Sequence, residues 1–368
     1  MKIVIISRTI YPRLSPRSFR ATELAKELAR LGHDVTLYGV LGSYDYTEFT
    51  AKTGVTVKPI KMLLSTYNSE GKQRYNFFDK AARHLFNKLI EYPDIEFCWK
   101  IPQIIKQEHD TDLLITIAMP FPIHWGAAIA KHKLKEKFPK VWISDCGDPY
   151  MGNGMEGGHL SYFKYVEQFW GDKTDYVTIP IESARTAYYP KIQNKIRIIP
   201  QGFDMENIKL SDYSPNPVPH FAYAGAIYIG KRDPSSFLEY LCSLNTNFVF
   251  TVFTETPDFY SRFKQILGPK LIIRRYIPRN ELLLELSKQD FLINLLNQTT
   301  LQSPSKLIDY LLTRRPIINI STPFQEKEKF EKALSSVPES DIKDIDISEY
   351  DIRNIAHKFL STANSHLR

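Results

Sequence analysis

The sequence predicts an α/β protein made of two doubly wound, parallel-sheet domains. Short, bare aliphatic runs alternate with amphipathic segments along most of the chain, as strands buried on both faces alternate with crossover helices. The alternation is interrupted by the proline-rich stretch "SDYSPNPVPH" at 211–220 and then starts again. The length of 368 residues also exceeds the roughly 250–300 residues that a single core holds.

The first run, "KIVIIS" (2–7), reads as a strand buried on both faces. Ala21, Leu24, Ala25, Leu28 and Leu31 then fall on one helical face, and Gly32 ends that helix. "HDVTLYGV" completes a βαβ unit, which calls for a parallel sheet. Residues 75–90 predict an amphipathic helix with Phe78, Ala82, Leu85 and Leu89 on one side. Strands are expected at 112–118, 140–145 and 195–200. Past the proline-rich stretch, "FAYAG", "NFVFTVF", "KLIIRRY", "DFLINLL" and "PIINI" are strands separated by helical segments. The tail is helical by Ile352, Ile355, Ala356 and Phe359. The expected division is 1–212, 213–345 and a final helix in 346–368 that packs back on the first domain. Two such domains enclose a cleft faced by C-terminal strand ends, where open α/β sheets bind ligands.

Composition narrows the function. With 43% hydrophobic and 24% charged residues the chain has ample material for packed cores. A net charge of +7 is mildly basic. The excess gathers in 52–88, where Lys52, Lys58, Lys61, Lys72, Arg74, Lys80, Arg83 and Lys88 face only Glu70 and Asp79. That segment suits phosphates or an anionic membrane surface. No basic-aromatic motif of a nucleic-acid reader occurs, so no nucleic-acid partner is expected. Cys98, Cys146 and Cys242 are too scattered for a disulfide framework or a zinc pair, which fits a reducing compartment. The N-terminus does not read as a signal peptide, and no run of about 18 apolar residues occurs. A cytoplasmic protein is expected, peripheral on the inner face of the cell membrane through 52–88.

The most informative stretch is "SPSKLIDYLLTRRPIINIS" (303–321). Ser303 reads as an N-cap and Pro304 as the first helical residue, so the N–H groups of Ser305 and Lys306 point out of the helix start. With a lysine in its first turn, that start is an anion site. Asp309 lies on the same face, about 6 Å along the axis. A phosphate at the helix start therefore brings a diol near a carboxylate, an arrangement that reads ribose.

This stretch resembles the "P-S-K-x-x-E-Y-x-x-x-G-x-P-V" element of GT-B-fold glycosyltransferases of the family 4 type, which are retaining and use nucleotide sugars. "SFRATELAKELARLGHDVTLYGV" is similar to the family's first helix and second strand, and "IRIIPQGFD" to the segment ending its N-terminal domain. The resemblance implies that the first domain takes a glycan or lipid-linked acceptor, in surface polysaccharide or glycoconjugate synthesis. It implies that the second binds a nucleotide diphosphate-sugar, with Asp309 in place of the ribose-binding Glu. There are departures. Leu301 stands where the family has an earlier Glu, "RLSPRSFR" replaces its Gly-Gly loop, and Ala226 replaces a phosphate-binding arginine. Lys231 falls where the partner lysine would be.

Several residues just past strand ends are further candidates. Arg13, Arg17 and Arg20 follow the first strand and suit a diphosphate. His124 suits a donor-sugar contact, and Asp145 or Asp148 an acceptor proton. The glycine-rich 150–159 suits a mobile acceptor loop, and Thr254, Tyr276 and Ile277 flank the base site. The histidines form no metal pattern and no HExxH occurs. Charge on the leaving diphosphate then falls to Lys306, Lys231 and helix N–H groups, with no metal or other cofactor. Two other readings remain: a GT-B-fold nucleotide-sugar epimerase, and a non-enzymatic two-domain binding protein. A dinucleotide dehydrogenase is excluded, because no glycine occurs between Ser7 and Leu31.

Overall fold

The computed structural model describes residues 1–13, 15–64, 77–152, 159–206, 208–230, 232–296, 305–342 and 345–367, with the backbone alone at 77–81, 305, 306 and 367. The chain forms two compact units, Met1–Asp204 with Glu349–Arg368, and Met205–Ser348.

The first unit holds a seven-stranded sheet of β1 (Lys2–Ser7), β2 (Asp34–Gly39), β3 (Thr56–Pro59), β4 (Leu113–Ile117), β5 (Val141–Asp145), β6 (Tyr176–Ile179) and β7 (Ile196–Ile198). The order is β3-β2-β1-β4-β5-β6-β7, and every pair is parallel. Alternation along β1 divides the core. Val4 and Ile6 join the helices Phe97–Gln107 and Pro122–Leu134 on one face. Ile3 and Ile5 join Leu24 and Leu28 of the helix Pro16–Arg30 on the other, together with Ile355 and Phe359 of the tail helix Ile352–Leu367. β3 and β6 were not anticipated; at four residues each they are too short to stand out as runs.

The second unit holds β8 (His220–Ala224), β9 (Val249–Phe253), β10 (Leu271–Arg274), β11 (Phe291–Leu295) and β12 (Ile317–Ile320), in the parallel order β10-β9-β8-β11-β12. In both sheets the order reverses at the first strand of the unit, β1 or β8. Its C-terminal end is therefore where a ligand crevice forms.

One expectation needs correction. The proline-rich stretch, which the sequence places between the two domains, packs on the second unit, and the division falls at Asp204/Met205 and not at 212. The Asp290 carboxylate accepts from the Tyr213 hydroxyl at 2.9 Å, the Asn216 N–H at 3.1 Å and the His220 N–H at 2.7 Å. Ser211 N–H donates to Ser287 Oγ at 2.9 Å. The stretch is thus strapped to the second unit by partners 70 to 77 residues away in sequence. The helix expected at 75–90 runs Phe77–Ile90, and its Leu85, Phe86, Leu89 and Ile90 are exposed.

Candidate functional site

In the second unit, the helix Ser305–Leu312 follows β11. Its Tyr310 is buried, and the Tyr310 hydroxyl accepts from Ala224 N–H at 2.8 Å. This pins the helix to the C-terminal end of β8, the switch strand. Asp309, one residue earlier, is partly exposed, and its Oδ1 accepts from Arg279 Nε at 2.7 Å. Burial raises the Asp309 carboxyl, and the Arg279 charge opposes it without cancelling it. Arg279 opens the helix Arg279–Ser287 after β10, and nothing in the sequence alone pairs it with Asp309. The side chains of Ser305 and Lys306, the cap at 303–304, Leu301 and all of Lys231 lie outside the described residues.

β9 and β10 end side by side. Thr254 N–H donates to Arg274 O at 2.9 Å. The Thr254 side chain is buried, with Oγ1 accepting from Thr256 N–H at 3.1 Å, so it shapes its own turn and offers a ligand only backbone. Ile277 packs against the core cluster that holds Ala224, Phe253 and Tyr310. Tyr276 is exposed. Arg232, missed in the sequence beside Lys231, acts electrostatically on the Tyr223 and Tyr276 phenols and lies over the Tyr228 ring at 5.8 Å. Asp309 and Arg279, and Arg232 with Tyr276, thus belong to one C-terminal sheet edge, which joins a carboxylate to guanidinium groups.

In the first unit three expectations change. Asp145 is 3% exposed, and Arg20 grips it through Nε–Oδ2 at 3.1 Å and Nη2–Oδ1 at 2.7 Å. Thr178 Oγ1 donates to Oδ1 at 2.7 Å. Burial raises this carboxyl, but Arg20 and Thr178 outweigh it and hold it below the usual range. Asp145 is therefore a buried structural anion and not a proton acceptor for a substrate. Arg20 is its counter-ion and does not reach a diphosphate. His124 is also buried, with Nδ1 2.8 Å from Thr116 Oγ1, Nε2 3.4 Å from Cys146 Sγ and its ring 5.0 Å from Trp170. It cannot touch a donor sugar there.

Arg17 does sit at the strand ends. Its Nη2 donates to Asp148 Oδ2 at 2.9 Å, and its guanidinium lies across Gly147, where a Cβ would come within 1.7 Å of Nη1. Any side chain at 147 would push Arg17 off Asp148. Arg8, also past β1, pairs with Asp94. Both Asp145 and Asp148 are therefore ion-paired with an arginine. In the loop 150–159, residues 153–158 lie outside the described residues.

Residues 19–207 match Glycosyltransferase Family 4, which is half of the chain. The chain belongs to glycosyltransferase family 4. Among curated protein sequences, none matches it. Solved structures share the fold. A glycosyltransferase from Rickettsia africae is 15% identical, with 100% of this chain and 97% of that one covered and a TM-score of 0.60. HepE of Anabaena, solved with UDP and glucose, is 10% identical over 99% and 100% of the two chains, with a TM-score of 0.61. TarM of S. aureus, solved as a mutant with UDP and fondaparinux, is 9% identical over 100% and 94%, with a TM-score of 0.55.

Among the described residues of this glycosyltransferase, no group of three or more His, Cys, Asp or Glu is placed to hold a metal ion. Asp110 and Asp112 have the Asp-x-Asp spacing of metal-dependent transferases but lie at the N-terminal end of β4. There Asp112 accepts from Lys2 N–H at 2.8 Å and pairs with Lys140 at 2.7 Å.

Sequence reasoning also missed Glu167, on the helix Phe163–Lys173. It is fully buried, and neither carboxylate oxygen makes a well-formed hydrogen bond. Burial raises it to about 7, against a weak opposing pull from the Met151 amide. A raised carboxyl stabilises the fold below its unfolded value of 4.5, and that contribution is lost as pH rises through about 7. His124 acts in the opposite sense. Burial lowers it to about 3, so its contribution is present above 6.5 and lost as pH falls. Glu167→Gln should therefore stabilise this enzyme by on the order of 3 kcal/mol at pH 8 and by little at pH 5. Urea unfolding at both pH values checks this. An equal gain at both would mean that Glu167 does not titrate near neutrality.

Proposed function

We propose that this glycosyltransferase moves a sugar from a nucleotide diphosphate-sugar to a glycan or lipid-linked acceptor, without a metal and with retention at the anomeric carbon. The observation that carries this is Asp309. It is a partly exposed carboxylate on the second turn of a helix that Tyr310 fastens to the switch strand β8. Its two oxygens accept the paired ribose hydroxyls, Arg279 keeping one of them in position. The diphosphate lies toward the helix start, where Lys306 and backbone N–H groups stabilise the charge that builds as the bond to the sugar breaks. Arg232 supplies a second cation at the same sheet edge. The UDP in the HepE and TarM structures supports this class of donor.

The test is incubation with a panel of nucleotide diphosphate-sugars in EDTA, with free nucleotide as the readout. Release should persist in EDTA. A loss restored by Mg²⁺ or Mn²⁺ would overturn the metal-free part.

The acceptor is held on the first unit, and the enzyme works peripherally at the cytoplasmic face of a membrane. The exposed Leu85, Phe86, Leu89 and Ile90 share the helix Phe77–Ile90 with Arg83 and Lys88. Beside it lies a cavity of about 750 Å³ lined by Leu64, Phe86, Ile90 and Trp99. An amphipathic helix of this kind enters the headgroup region, and each nearby basic residue adds about 1 kcal/mol on an anionic surface. No described helix is long and apolar enough to cross a membrane. Binding to anionic vesicles and not to neutral ones, reversed by high salt, is expected in flotation. Absence of binding to anionic vesicles at low salt would remove the membrane from this reading.

A further inference from the structure

Among the exposed large apolar side chains described in the first unit, two groups differ in chemistry. The patch on the helix Phe77–Ile90 is mainly aliphatic. The other is phenolic. Tyr11, past the end of β1, and Tyr44, past the end of β2, are 41% and 38% exposed. They belong to a closed circuit of four rings. Tyr11 meets Tyr44 edge-on at 5.4 Å and stacks on Phe49 at 5.6 Å. Tyr44 meets Tyr46 at 4.9 Å, and Tyr46 meets Phe49 at 6.1 Å.

The circuit is held from behind. The Tyr46 hydroxyl donates to Tyr11 O, Val40 N–H donates to Arg8 O at 3.0 Å, and Tyr11 N–H donates to Thr22 Oγ1 at 3.0 Å. The loops after β1 and β2 are thereby tied to each other and to the first helix. Rings fixed in this way lose little freedom when a ligand settles on them.

We propose that Tyr11 and Tyr44 form a platform for a saccharide ring of the acceptor. This rests on the glycosyl-transfer reading and names the chemical class its acceptor site takes. A pyranose has a flat face of C–H groups and a rim of hydroxyls that must keep hydrogen-bond partners. Tyrosine answers both needs, with an apolar ring face and a polar tip. A lipid chain has no use for phenols, and the charged neighbours Asp45, Glu48 and Lys52 disfavour one. The position also fits, because the platform stands at the C-terminal edge of the sheet, past the switch strand β1 and its neighbour β2.

The test compares wild type, Tyr44→Ala and Tyr44→Phe on an array of defined mono- to tetrasaccharides, without nucleotide. The best-bound saccharide is then titrated in solution, and melting curves verify the folds. Wild type should bind a subset of the array, Tyr44→Ala should bind at least tenfold more weakly, and Tyr44→Phe should keep most of the affinity. Nucleoside diphosphate affinity should be equal in all three. A wild type that binds no saccharide, or a Tyr44→Ala that binds as wild type does, overturns the platform. Failure of the donor reading would be separate: no nucleoside diphosphate would bind, whatever the array shows.

Discussion

Arg20→Ala should destabilise the first unit by about 3–5 kcal/mol, the usual cost of leaving one member of a buried ion pair without its partner. Arg20 grips Asp145, donates to Ile199 O at 3.1 Å and to Pro200 O, and lies 5.0 Å from the Phe359 ring. Its loss therefore leaves the Asp145 carboxylate with the Thr178 hydroxyl and the more distant Arg17 charge, and loosens the chain after β7 and the tail helix. For a unit of this size the melting temperature should fall by on the order of 10 °C. The double change Arg20→Met with Asp145→Leu should recover much of the loss, because it removes both charges and keeps volume. A fall of less than about 1 kcal/mol for Arg20→Ala, measured by thermal and urea unfolding, would return Asp145 to the catalytic candidates.

Asp309→Ala should weaken nucleoside diphosphate binding tenfold or more. Hydrogen bonds to a charged acceptor are each worth about 1.5–3 kcal/mol, and the ribose role uses two. The structure adds a complication, since Asp309 also pairs with Arg279, so its removal alters a cation as well as a carboxylate. Calorimetry with the ribonucleotide and its 2′,3′-dideoxy analogue separates the two effects. Wild type should prefer the ribonucleotide, and Asp309→Ala should bind both alike. Equal weakening for both ligands would make Asp309 a partner of Arg279 only.

Apart from the four-residue β3 and β6, the strands of both sheets were legible because their signals are local. In β1 the aliphatic run needs no partner to be recognised, and Leu24 and Leu28 recur at the helical period. The tail helix was legible by the same period, through Ile352, Ile355, Ala356 and Phe359, and all four are buried. The element around Asp309 was legible because one helix carries both a cation in its first turn and an acid in the next, and spacing along a helix fixes a face.

What the residues by themselves determined is therefore the α/β class, the two sheets and the placing of candidates past strand ends. Tertiary structure alone decided which of those candidates meets solvent. Asp145 and His124 occupy strand-end positions as promising as that of Arg17. The first is sealed by Arg20, arriving from a helix 125 residues earlier, and the second by Trp170 and Cys146. The same holds for the proline-rich stretch, tied down by Asp290, and for Asp309, which meets an arginine 30 residues upstream. The reason is physical. A backbone preference is set by neighbours within a few positions, whereas burial and ionisation are set by whatever the fold brings against a side chain, and sequence distance carries no record of that.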